Sequence, residues 1–186
     1  MIPPSNDKSN YPLEFIGALV DAGYSVLNVN RRGAGNSDGT PEDAYEGPSG
    51  VLDAIAAHGF MMDAGCGAPA DAISFIGASN GTTTAIDFTV SADPDQRPPS
   101  LVLLSPGGYT ENQNAIADHV DVLAPLPIFI GYPNDEASWP EANAVHDTGS
   151  WERTEYEGGR HGSGLFESHP ELIGEIVAFI ERTNPT

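Results

Sequence analysis

A G-x-S-x-G sequence, Gly77-Ala78-Ser79-Asn80-Gly81, follows the apolar run Ile73-Ser74-Phe75-Ile76 and precedes the helix-prone stretch that begins at Thr82. This placement between a predicted strand and a predicted helix constrains the chain more than any other feature. A serine so placed sits on a sharp turn, and small residues two before and two after it let the strand and helix backbones approach closely. The turn presents the hydroxyl at the carboxyl end of the strand. The N–H of the next residue, Asn80, and the positive end of the new helix are aimed at the same point. Ser79 is therefore a candidate nucleophile, and Asn80 a candidate donor to an oxyanion.

The rest of the chain repeats the same alternation. Short apolar runs rich in β-branched residues predict strands over 25–30, 73–77, 101–105, 127–132 and 151–156. Apolar residues at helical spacing lie between them. Leu13, Ile16, Leu19 and Val20 predict a helix over 12–22 that stops at Gly23, and Val51, Leu52, Ile55 and Ala56 predict one near 48–60. A third helix begins after Ser79 and carries 82–90. A last one spans about 170–182, with Leu172, Ile173, Ile176, Val177 and Ile180 on one face. Strands connected by helices predict an α/β fold, a doubly wound, mostly parallel sheet with helices on both faces and its site at the carboxyl ends of the strands. The 186 residues suit one domain over 1–186.

Composition narrows the function classes. The chain has 27 acidic and 7 basic residues and a formal charge of -20, so it should repel nucleic acid and anionic membrane surfaces, and neither is expected as a partner. Lys8 is its one lysine, and acidic excess with scarce lysine fits a surface adapted to high salt. An ordinary acidic protein would instead be indifferent to salt. The lone Cys66 cannot form an internal disulfide and reads as structural. With no signal peptide or membrane-length apolar run, a soluble, cytoplasmic protein is expected.

From Gly23 to Gly39 the sequence GYSVLNVNRRGAGNSDG resembles the pattern GY-x-VL-x-x-D-x-RG-x-G-x-SDG of the α/β-hydrolase superfamily, nearest to dienelactone hydrolases and small serine carboxylesterases. The resemblance extends over nearly the whole chain. It implies the catalytic order serine, acid, histidine along the sequence. His161, in Gly158-Gly159-Arg160-His161-Gly162 just past the last predicted strand, matches the position of the base. His58, His119, His146 and His169 lack that context. The acid falls in Pro133-Asn134-Asp135-Glu136. Counting from Pro127 selects Glu136 and counting from Gly131 selects Asp135, and the first count is preferred.

The resemblance also implies a departure. In the superfamily a strand and a His-Gly loop precede the helix expected over 12–22. Here Met1 and Ile2 stand in place of that strand, so the amino-terminal strands are shortened or absent, and a gap is expected within the sheet. The loop Pro3-Pro4-Ser5-Asn6-Asp7 then stands where the second oxyanion donor belongs, which would be a backbone N–H near Ser5 or Asn6. No lid domain fits between residues 105 and 127, so the site should be open. Short-chain, soluble esters are the expected small-molecule substrates, hydrolysed through an acyl-enzyme on Ser79, with no metal or organic cofactor required. A peptidase or amidase of the same superfamily would use the same residues. A non-catalytic fragment or binding module would keep the fold and lack a competent oxyanion site.

Other motifs carry less. Gly33-Ala34-Gly35 lacks the third glycine and the helix of a dinucleotide loop. Asn80-Gly81-Thr82 is formally a glycosylation acceptor, but the turn would make it inaccessible. Trp139 and Trp151 read as packing residues.

Overall fold

The computed structural model describes residues 1–2, 11–40, 42–43, 48–65, 67–109 and 115–186. Ser5, Asn6, Lys8 and Cys66 lie outside the described residues. Among those described, four strands form one parallel sheet: β1 (Phe75–Ala78), β2 (Leu101–Leu104), β3 (Ile128–Pro133) and β4 (Trp151–Tyr156), adjacent in that order. The helices are α1 (Leu13–Asp21), α2 (Pro48–Phe60), α3 (Asn80–Ser91), α4 (Val120–Leu123), α5 (Ser138–Asn143), α6 (Leu165–Ser168) and α7 (Leu172–Thr183).

Every residue of β1, β2 and β3 is buried, as expected for parallel strands covered on both faces. Alternate side chains feed two cores. Leu101, Leu103, Ile128 and Ile130 point to the face packed by Ala54 of α2, Ile86 and Phe88 of α3 and Leu123 of α4. Val102, Leu104 and Phe129 point to the other face, where Phe15 and Leu19 of α1 meet Leu165 of α6 and Ile176 and Phe179 of α7. Each such fully buried side chain contributes roughly 1.5–3 kcal/mol relative to exposure. The fold is thus a doubly wound α/β sheet. Strand β4 is buried at Trp151 and Tyr156 and mostly exposed between them, because it lies at the edge of the sheet. Trp151 serves packing, and its indole N–H donates to the Leu123 carbonyl at 3.1 Å. None of the described helices is long and apolar enough to cross a membrane.

The predicted elements recur with small shifts at their ends. Gly23, at φ 95°, closes α1. Its N–H bonds to Val20 at 2.9 Å and that of Tyr24 to Leu19 at 3.0 Å, the paired bonds of a glycine-terminated helix. Helix α2 runs on into a π-helical turn over Met61–Gly65. Strand β2 ends one residue early because Ser105 turns to φ 50°.

The strand expected over 25–30 is a correction. Residues 24–30 carry no regular secondary structure and join no ladder. A strand exists through its partner's hydrogen bonds, and here the described neighbour is Met1–Ile2. Ile2 bridges Gly77 of β1, donating to the Ile76 carbonyl at 2.7 Å and accepting from Ala78 at 3.3 Å. The Met1 amine donates to the Leu27 carbonyl at 2.8 Å. Burial pushes that amine down to about 5, so at neutral pH it is an uncharged donor. Beyond these two residues an apolar cavity of about 340 Å³ separates Val26 and Leu27 from Ile73 and Phe75.

Candidate active site

The turn at Ser79 has the strain the motif predicts. Ser79 adopts φ 53° and ψ -129°, which L-residues other than glycine rarely visit. The surrounding backbone holds it there. Its N–H donates to the Leu104 carbonyl of β2 at 2.8 Å, and its carbonyl accepts from the N–H and the hydroxyl of Thr82 at 2.9 and 2.6 Å. The glycine before it is a steric requirement, since a Cβ on Gly77 would lie 2.5 Å from the Gly81 carbonyl oxygen. As the first residue of α3, Asn80 has an N–H with no acceptor inside the helix. Asn80 is buried, so the formal glycosylation acceptor is inaccessible.

The loop after β4 brings His161 to the serine across 82 residues of sequence. Nε2 of the imidazole lies 2.8 Å from Ser79 Oγ, and Nδ1 lies 2.6 Å from Glu136 Oε1. An ionised carboxylate can only accept, so Nδ1 carries the proton and Nε2 is left to accept from the serine hydroxyl. Glu136 ends the short 3-10 turn Asn134–Glu136 that follows β3. Asp135 is exposed and makes no hydrogen bond or ion pair among the described residues. Of the two carboxylates, Glu136 is the one at the imidazole. The His161 side chain is 48% exposed, so water reaches the pair directly.

The other described histidines lie elsewhere. His58 is buried against the Phe75 and Phe88 rings, and His169 bonds Glu171 at 2.9 Å. The residues expected to supply the second oxyanion donor, Ser5 and Asn6, lie outside the described residues. Among those described, no three His, Cys, Asp or Glu side chains group as metal ligands would.

Three residues at the site were not singled out by the sequence. Arg31 is almost fully buried, donating from Nη1 to Asn80 Oδ1 at 2.8 Å and from Nη2 to Thr84 Oγ1 at 2.9 Å. It ties the first turn of α3 to the segment before it. Its neighbour Arg32 pairs with Asp53 instead, at 2.8 Å, and no local signal distinguishes the two arginines. Tyr109 sets its ring edge-on to His161, with centroids 6.1 Å apart, and its hydroxyl donates to the Ser105 carbonyl. Burial, helped by the Glu136 charge, pushes the Tyr109 phenol up to about 12, against an opposing hydrogen bond with Ser79. The phenol therefore remains a donor through neutral and mildly alkaline pH. Ser105 itself is fully buried beneath them.

No protein-family model matches the sequence, and no curated protein sequence matches it. Among solved structures the chain is similar to an α/β hydrolase from Vibrio vulnificus, with a TM-score of 0.66 at 18% sequence identity. The superposition covers 88% of this chain and 66% of that one. The chain has the α/β-hydrolase fold and spans about two thirds of that protein's length.

Proposed function

We propose that the chain is a serine hydrolase that cleaves short-chain, soluble carboxylic esters through an acyl-enzyme on Ser79. The observation that carries this reading is the continuous hydrogen-bonded line from Ser79 Oγ through His161 to Glu136, starting from a strained serine at a helix amino terminus. In the first step His161 Nε2 takes the Ser79 proton as the hydroxyl oxygen attacks the ester carbonyl carbon. The oxyanion that forms is stabilised by the Asn80 N–H and the amino-terminal end of α3. His161 then protonates the leaving alcohol. Water repeats the sequence and releases the acid. Glu136 holds the imidazole in the required tautomer and stabilises its protonated form.

The open, half-exposed imidazole favours small, water-borne substrates over long-chain lipids. The test is hydrolysis of p-nitrophenyl acetate and butyrate by the intact chain and by Ser79→Ala, each at low and at molar salt. Turnover that falls on the order of 10⁴-fold or more in the variant is expected. Equal inertness of both proteins, while folded, would overturn the reading. The salt series also tests whether the acidic surface needs high salt, since loss of folded-state signals at low salt is the outcome that supports it.

A further inference from the structure

We infer that Ser105 is a positioning residue that sets the placement of His161 over Ser79, an inference that rests on the serine-hydrolase reading of that pair. Among the described residues, Ser79 and Ser105 are the non-glycine residues with positive φ, at 53° and 50°. They lie at the carboxyl ends of neighbouring strands. The Ser79 turn is accounted for by its motif. The Ser105 turn is not, and a non-glycine residue persists in this region only where the surrounding structure holds it there. Glycine would adopt it freely, so the serine side chain should contribute something that glycine cannot.

Its contacts show what that is. Ser105 Oγ accepts the Gly162 N–H at 2.8 Å, across 57 residues of sequence and in a fully buried setting. Gly162 directly follows His161 and packs its backbone on the serine, since a Cβ there would lie 3.6 Å from Ser79 Cβ. The Ser105 N–H continues the sheet by donating to Gly131 at 2.8 Å, and its carbonyl holds the Tyr109 hydroxyl beside the imidazole. One residue earlier, the Leu104 carbonyl accepts the Ser79 N–H at 2.8 Å. Nucleophile and base are therefore hung from consecutive residues of one strand end. The single peptide between Leu104 and Ser105 fixes their separation, and the left-handed turn aims Oγ at the Gly162 amide.

A purely structural hydrogen bond would move stability and activity together. A positioning role predicts that they separate. Ser105→Ala removes the oxygen and keeps the strain, and Ser105→Gly removes both. The measurements are kcat and KM on p-nitrophenyl acetate, with Tm, for the wild-type chain and both variants. The expected result is a loss of kcat on the order of ten- to a hundredfold in each, the scale of a base displaced by a fraction of an ångström to an ångström. KM should stay within about threefold, and Tm should be higher for Ser105→Gly than for Ser105→Ala because the backbone relaxes. If both variants keep kcat within about threefold, the inference is overturned. Hydrogen exchange on the wild-type chain needs no variant to fold. The Gly162 amide should be protected like the β2 amides, and fast exchange there would overturn the inference as well. A wild-type chain that is folded but inert overturns both this inference and the hydrolase reading, whereas active variants beside an active wild type overturn this one alone.

Discussion

On one flank of Ser79 the sheet continues without a break through β2, β3 and β4; on the other it gives way to a two-residue bridge, a cavity and a segment with no ladder. Both flanks have sequence of the same kind. Residues 25–30, Ser-Val-Leu-Asn-Val-Asn, form a short run whose Val26, Leu27 and Val29 are of the apolar, mostly β-branched kind that predicts a strand. The difference lies in what stands next to them. Leu101–Leu104 has a neighbour on each side, with its backbone groups paired to both. Residues 24–30 have the Met1 amine at Leu27 and little else of a ladder. β-propensity marks a segment that can pair, and the pairing itself depends on a partner far away in sequence. Function follows the same division. The continuous flank delivers His161 and Glu136 on loops that follow strands of set register, while the other flank reaches the site through the Arg31 guanidinium.

The comparison can be broken or sharpened by matched substitutions. The largest effect is expected on the paired flank at the acid. Glu136→Gln should lower kcat on the order of 10⁴-fold while leaving the fold intact, and Asp135→Asn should stay within about threefold. Steady-state kinetics of the two variants decides it, and the reverse ranking would move the acid to Asp135.

Next come two identical truncations. Val102, fully buried in the core on the α1 and α7 face, should lose roughly 2–3 kcal/mol on Val102→Ala, and Val26→Ala beside the cavity less than about 1 kcal/mol. Urea denaturation midpoints at constant m-value measure the pair. Equal losses would mean that the amino-terminal flank is as tightly packed as the sheet. Enlarging the same two positions should give opposite signs. Val102→Ile overpacks a filled site at a cost of about 1–3 kcal/mol, whereas Val26→Ile has a cavity to enter and should stabilise by up to about 0.8 kcal/mol. Thermal melts of both variants would show the split. The smallest effect requires no substitution: amides of residues 25–30 should exchange faster than those of β1 to β3 in native-state hydrogen exchange. Equal protection would show a ladder on that flank after all.

Periodicity alone carried the α/β pattern, the positions of the main helices and the four strands that do form, because 3.6-residue and buried-strand patterns are local consequences of which side chains face a core. The Ser79 turn was legible for the same reason, since a side chain at Gly77 would run into the Gly81 backbone where strand and helix approach closely. The choice between Asp135 and Glu136 was not. Adjacent carboxylates differ in which way a one-turn helix rotates them, and that rotation is set by β3 and the loop after β4 together. Arg31, Tyr109 and Ser105 were hidden more completely, because an arginine beside another arginine, a loop tyrosine and a strand-end serine have no local signature of their roles. Their contacts join residues 49, 52 and 57 positions apart. The sequence by itself determined which segments can be strands and helices and where a nucleophile could stand. Which strand found a partner, which acid met the imidazole and what holds base and nucleophile in place were decided by tertiary structure, because each depends on chain segments that meet only once the sheet has formed.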